Sequence, residues 1–283
     1  MRLGVHVSIA GGVSLAAERA EALGCTAMQI FSRSPRGWAA PELDAGEIAR
    51  FKALREKAGI RPLAIHASYL INLATADPGL IRRSREGLGA ELRRGAAVGA
   101  DYLVVHVGSV KEGRVEDGIR RVVASLRRVL KSAPPAPMLL LENMAGERGD
   151  VGSRLEDLAA ILVGLGADGR VGVCVDTCHL FAAGYDLRTK AGVESVSKQI
   201  RGTIGAERIR LIHMNDSKKG LACGVDRHQH IGDGGIGLAG FRAFVNHPMF
   251  RNVPAILETP KDSPQADPRN LGIIRKLRTK ETH

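Results

Sequence analysis

Apolar and polar positions along this chain follow one repeated form: a short apolar run, a turn, then a stretch with apolar residues at helical spacing. The runs are LGVHVS (3–8), AMQIFS (27–32), PLAIHAS (62–68), YLVVHVGS (102–109), MLLLENM (138–144), VGVCVDTCH (171–179), IRLIHMND (209–216) and AILETP (255–260). Helical spacing is clear between them at 14–23, 45–58, 78–98, 115–131 and 154–164, as in VEDGIRRVVASLRRVL. Near-continuous apolar strands alternating with helices predict a parallel sheet covered by helices. Eight such units predict an α/β fold, a single closed (β/α)₈ TIM barrel, rather than an open doubly wound sheet. No Pro/Ser-rich linker divides residues 1–283, so one barrel domain is expected. The span 217–250 is too long for a simple helix connection and reads as a functional loop plus a helix.

In a (β/α)₈ barrel the C-terminal strand ends form the floor of the active site. Six of the runs carry a metal-binding residue type at that position: His66, His106, Glu142, Asp176, His213 and Glu258. One histidine in an apolar strand is usually a satisfied core residue. Six at equivalent positions of successive repeats are not coincidence, and three carboxylates together repel one another unless a cation lies among them. Histidine with carboxylate and no thiolate suits catalytic Zn²⁺, Mn²⁺ or Fe²⁺ better than a structural zinc or Ca²⁺. Six ligands exceed the need of one four-coordinate ion, so at least two ions are expected. The stretch VDRHQHIGDGGIG (225–237) adds Asp226 and His228, and His179 lies just past the strand end at Asp176. Together these three make a third open site. His230 is read as a group behind the ligands or facing solvent, and His6, His247 and His283 are left unassigned. Sites with several metals suit phosphate-ester hydrolysis, because fixed cations oppose the charge of the pentavalent transition state.

Composition narrows the partners. The formal net charge of +11 favours a polyanionic partner, although arginines in IRRSREGLGAELRR and GIRRVVASLRRVL read as solvated helix faces. Cys25, Cys174, Cys178 and Cys223 are unevenly spaced with no C-x-x-C pair, as expected of reduced core thiols in a cytoplasmic protein. Cys174 and Cys178 flank Asp176, where a soft-metal role is weighed and buried packing preferred. The start, MRLGVHVSIAGG, lacks the apolar region of a signal peptide, and no apolar run approaches a membrane span.

HASYLINLA (66–74), LENMAG (141–146), DTCHLFAAGYD (176–186), HMNDSK (213–218), VDRHQHIGDGGIG (225–237) and LETP (257–260) closely resemble the motifs of the endonuclease IV family. These are metal-dependent apurinic/apyrimidinic endonucleases of base-excision repair, and the resemblance spans almost the whole chain. It implies a (β/α)₈ barrel with three zinc ions, with Mn²⁺ or Fe²⁺ as alternatives at one or more sites. It also implies that His66, His106 and Glu142 hold one ion and that Glu142 bridges to a second held by Asp176, His213 and Glu258. His179, Asp226 and His228 would hold the third. The implied reaction cuts the phosphodiester 5′ to an abasic site and leaves a 3′-hydroxyl and a 5′-deoxyribose phosphate. Glu142 would be the catalytic carboxylate that places the attacking hydroxide, and some 3′-end trimming is expected. Arg36, Tyr69 and Leu70 would enter the DNA stack, and Arg227 is a candidate phosphate clamp. The departures are Val107 for a common proline, Met144 for a common threonine, and Gly37 for a larger polar residue.

The expected partner is duplex DNA containing abasic sites, with no membrane and no obligate protein partner. A monomer is expected in the cytoplasm, associated with the nucleoid when on DNA. Two rivals compete. A sugar isomerase or epimerase on a similar barrel needs one or two metals and no third site; a catalytically dead nucleic-acid-binding barrel would not need its ligands intact.

Overall fold

The computed structural model describes residues 1–166 and 168–279, so His283 lies outside the described residues. Eight parallel strands carry the fold: β1 (Leu3–Val5), β2 (Met28–Phe31), β3 (Leu63–His66), β4 (Tyr102–His106), β5 (Met138–Glu142), β6 (Val171–Asp176), β7 (Ile209–His213) and, after a small ribbon, β10 (Ala255–Leu257). The ribbon pairs β8 (Asp216–Ser217) with β9 (His228–Gln229) antiparallel. Around the sheet the order is β1-β10-β7-β6-β5-β4-β3-β2. The seam between β1 and β2 closes through a parallel bridge, His6 to Gln29, and through Val7 N–H donating to the Gln29 carbonyl at 2.7 Å. Gly4 permits this closure, because any side chain there would strike the Ala27 carbonyl. The barrel expected from the alternating runs is the barrel found.

Helices α1 (Ser14–Ala22), α2 (Ala45–Lys57), α3 (Pro78–Val98), α4 (Val115–Ser132) and α5 (Leu155–Leu165) follow the first five strands. Helices α6 (Thr177–Ala182) and α7 (Lys190–Thr203) follow β6, and a 3₁₀ turn (Ala206–Arg208) leads into β7. Helix α8 (Gly237–Asn246) follows the ribbon, and α9 (Ala266–Leu277) follows β10. The span 217–250 thus holds the expected loop and helix. Helix α4 shows why the outer layer forms. Val122, Leu126, Val129 and Leu130 lie on one face and are buried, each worth roughly 1.5–3 kcal/mol on burial. Among the described residues no helix is long and apolar enough to cross a membrane.

Within the barrel the two-residue period of the strands stacks two rings. Ala27, Ala64, Val104, Leu140, Cys174, Leu211 and Ile256 form a separate buried cluster. Two residues further along the same face stand Gln29, His66, His106, Glu142, Asp176, His213 and Glu258. A buried apolar plug therefore underlies a polar ring at the strand ends. Glu258 sits one residue beyond β10, and the run 171–179 is not all strand. It breaks at Asp176, whose carboxylate accepts from His179 N–H at 2.8 Å and caps α6.

Candidate metal centre

The polar ring, the first turn of α6 and the ribbon with the segment leading into it bring all nine expected ligands together. Ligand atoms of His66, His106 and Glu142 lie within 4.8 Å of one another, as do those of Glu142, Asp176, His213 and Glu258, and those of His179, Asp226 and His228. Glu142 serves two groups with different oxygens. Its Oε2 is 3.3 Å from His66 Nε2 and 3.0 Å from His106 Nε2, while its Oε1 is 2.9 Å from His213 Nδ1. In the third group His179 Nε2 and His228 Nε2 stand 3.2 and 3.3 Å from the two oxygens of Asp226. Asp176, Cys178 and His228 form a further combination. Burial raises the Cys178 thiol above its ordinary range, however, and its Sγ donates to the Arg227 carbonyl at 3.6 Å.

The ring nitrogens show what this arrangement is built to receive. His66 and His179 direct Nδ1 at the backbone carbonyls of Ala67 (2.8 Å) and Asn143 (2.9 Å), and His228 directs Nδ1 at that of Glu258 (3.0 Å). A carbonyl only accepts, so each of these Nδ1 atoms carries the proton and Nε2 faces inward. Inside, Glu142 Oε2, His179 Nε2 and His228 Nε2 are buried with no hydrogen-bond partner. Buried polar atoms are rarely left so. Ring nitrogens fixed from behind, facing carboxylates in front without a hydrogen bond between them, fit divalent cations with nitrogen and oxygen ligands.

Charge leads to the same place. Among the described residues the ion-pair partners of Glu142, Asp176, Asp226 and Glu258 within 4.0 Å are all histidines. Burial pushes Glu142 up, but His213 and His106 beside it hold its carboxyl well below the usual range. Burial likewise pushes Asp226 up, but His179 and His228 bring it to about 2. His179 is pulled down by burial and raised well above its ordinary value by Asp176, Asp226 and Glu142. Four clustered carboxylates draw positive charge, as protons on histidine or as metal ions that displace them.

Several positioning residues carry no clear signal in the sequence. Asn143 Oδ1 accepts from Asp176 N–H, and Asn215 Nδ2 donates to Asp176 Oδ2, both at 2.7 Å. Asn215 Oδ1 accepts from Glu258 N–H, so one amide spans two strand ends. Asp216 is fully buried and accepts backbone N–H bonds from Ser217, Gly232, Gly234, Ile236 and Gly237. It ties the glycine-rich stretch to the ribbon that carries His228. Gly234 is needed for that approach, since a Cβ there would lie 2.5 Å from Asp216 Oδ1. Stepping two residues along β2 from Ala27 of the apolar ring would have revealed Gln29.

The remaining candidates lie around the rim. Tyr69 is 56% exposed, its ring 5.4 Å from that of His66 and 6.3 Å from that of His106. Leu70 beside it is half-buried. Arg227 is exposed and donates to the Asp226 carbonyl at 2.7 Å. Arg36 is exposed on the loop after β2, which Ser68 Oγ ties to the Tyr69 loop by donating to the Pro35 carbonyl. The buried Arg33–Glu91 pair, at 2.8 Å, anchors the start of that loop. His230 packs behind the ribbon, with Nε2 3.0 Å from Asp262 and Nδ1 3.0 Å from the Asn270 amide. His247 faces Glu194 at 3.1 Å.

Comparison with known proteins gives a consistent placement. Residues 17–279 match the family model described as xylose isomerase-like TIM barrel. A protein of Methanoculleus marisnigri named "Probable endonuclease 4" is 45% identical over 276 residues, covering 97% of this chain and 98% of the relative. The crystal structure of endonuclease IV from Thermus thermophilus superposes with a TM-score of 0.86 at 41% identity, over 98% of each chain. A D-tagatose 3-epimerase-like protein superposes at 0.71 with 19% identity over 98% of this chain and 97% of its own, a likeness of fold alone.

Proposed function

The chain belongs to the endonuclease IV family, and on that premise we propose that it is a metal-dependent phosphodiesterase of base-excision repair that incises duplex DNA at abasic sites. The observation that carries this reading is the third ligand group. His179, Asp226 and His228 add a third group to two that share Glu142, more than a sugar isomerase or epimerase needs. The nitrogen and oxygen donors suit zinc, with Mn²⁺ or Fe²⁺ as alternatives. His66, His106 and Glu142 would hold one ion, Glu142, Asp176, His213 and Glu258 a second, and His179, Asp226 and His228 a third. Bound there, such ions acidify water and offset the charge on the phosphoryl oxygens.

The chain's own groups arrange the rest. Glu142 is fixed on both sides by histidines, so its carboxylate is pre-aligned to orient the attacking water. Arg227 and Arg36 offer guanidinium forks to backbone phosphates. Abasic DNA presents no base to read, so recognition rests on backbone charge and deformability. Tyr69, whose ring lies beside that of His66, and Leu70 next to it in the loop fill the gap that the missing base leaves. The cut falls 5′ to the abasic site and leaves a 3′-hydroxyl and a 5′-deoxyribose phosphate. The same site trims blocked 3′ ends. The protein acts as a monomer in the cytoplasm, on the nucleoid when bound to DNA.

The test is metal counting by mass spectrometry together with incision of a duplex carrying one tetrahydrofuran abasic analogue. The expected result is three ions per chain and a nick immediately 5′ to the analogue whose 3′ end a polymerase extends. An intact duplex, with epimerisation of a ketohexose instead, would overturn the reading.

A further inference from the structure

Gln29 is the one carboxamide of the polar ring, and its side chain spends both amide protons and one lone pair of its oxygen on three neighbours. It is fully buried on β2. Its Oε1 lies 2.8 Å from His213 Nε2, and its Nε2 lies 2.6 Å from Glu258 Oε1 and 3.0 Å from His6 Nδ1. The orientation of this amide is fixed chemically. A carboxylate accepts and does not donate, so the nitrogen end must face Glu258. The oxygen end therefore faces His213 Nε2, which must carry a proton. His6 Nδ1 takes the second amide proton as an acceptor, and the His6 ring is held against Phe31 at 4.3 Å.

This inverts His213 relative to its neighbours. His66, His179 and His228 are pinned through Nδ1 by backbone carbonyls and present Nε2 to the centre. His213 is pinned through Nε2 and presents Nδ1, which lies 2.9 Å from Glu142 Oε1 and 3.2 Å from Glu258 Oε2. The same amide occupies Glu258 Oε1, so Oε2 is the oxygen left toward His213.

We propose that Gln29 is a positioning residue of the second metal group, selecting Nδ1 of His213 and Oε2 of Glu258 as its ligand atoms. This rests on reading that group as a metal site. A backbone carbonyl could pin His213 equally well, but only a side chain with a donor and an acceptor can pin His213 and Glu258 together. Through Gln29, His6, one residue past β1, joins the support of a site it does not line.

The test uses the full chain, ¹⁵N-labelled and loaded with ¹¹³Cd²⁺. In the parent protein, cadmium should couple to Nδ1 of His213 and to Nε2 of His66, His179 and His228. Gln29→Met keeps the volume and removes both polar ends. It should fold with an unchanged circular-dichroism spectrum and weaken one of three ions in a chelator competition by about tenfold or more. Gln29→Glu keeps an acceptor for His213 but sets a second carboxylate against Glu258; it should retain Nδ1 coupling while also weakening that ion. Coupling of His213 through Nε2 in the parent overturns the proposal without needing any variant to fold. So does a Gln29→Met protein whose three affinities stay within twofold of the parent's. A parent that binds no ion at Glu142, Asp176, His213 and Glu258 fails differently, because it removes the metal reading itself.

Discussion

Replacing Asp216 by asparagine should loosen the glycine-rich stretch and cost the protein its third metal group, although Asp216 belongs to none of the three ligand sets. The magnitude follows from its hydrogen bonds. Oδ1 accepts from Ser217 N–H at 2.8 Å and Ile236 N–H at 2.9 Å. Oδ2 accepts from Gly232, Gly234 and Gly237 N–H at 2.9, 3.1 and 3.3 Å. An asparagine has one acceptor oxygen. In its better orientation it serves the three glycines and turns its NH₂ toward the other two donors. Two buried N–H groups left unpaired cost about 1–3 kcal/mol each, so about 2–6 kcal/mol in all. That is a large share of the roughly 5–15 kcal/mol by which a domain is stable. Asp216 and Ser217 pair with Gln229 and His228, so the loosened ribbon should also release the ion held at His179, Asp226 and His228. The assay is urea unfolding of metal-free parent and variant, which keeps metal binding out of the stability difference. Metal content after reloading is then counted. A loss below about 1 kcal/mol with three ions still bound would refute the idea that this carboxylate organises the stretch.

Glu142→Gln should lower incision at least about a hundredfold while circular dichroism stays unchanged, since it removes the charge shared by two ligand groups; parent-like turnover with full metal content would contradict the bridging role. His228→Ala should lower metal content by about one ion per chain, because its group has only three protein ligands, and retention of three tightly bound ions would return 225–237 to a plain surface loop. Replacing Tyr69 and Leu70 together by alanine should slow incision of abasic duplex about tenfold or more, one decade being 1.4 kcal/mol. Hydrolysis of a small phosphodiester should hardly change, and equal losses on both substrates would mean the pair only supports the His66 loop. Burial pushes the Cys25 thiol up to about 11 and Cys174 up to about 12, and raises Cys178 too, whereas Cys223 is half-exposed. A disulfide-exchange reagent at pH 8 should therefore titrate one thiol in the native protein and four in urea; three or four fast native thiols would count against that burial.

Much of this protein is determined by sequence alone. The near-continuous apolar runs and the helical stretches are local patterns, so residues 3–8 through 255–260 mark the barrel before any contact is known. Because a barrel's strand ends face one mouth, His66, His106, Glu142, Asp176, His213 and Glu258 could be placed on one floor by counting along each run. What sequence left open depends on how distant segments pack. Sequence places the end of this strand at Asp176 but not the reason for it, which is that the Asp176 carboxylate accepts His179 N–H and caps α6 as the chain leaves the sheet. Gln29 reads as one polar residue in an apolar run, and Asp216 as one of several acids in HMNDSK. Gln29 acquires its role from His6, Glu258 and His213, the last 184 residues away, once β1 closes on β2 and β10 lies beside β7. Asp216 acquires its role from N–H groups 16 to 21 residues further on, folded back over it. A local pattern fixes which face a residue occupies, but the partner of a buried polar atom is chosen by the closure of the whole barrel, which only the tertiary structure decides.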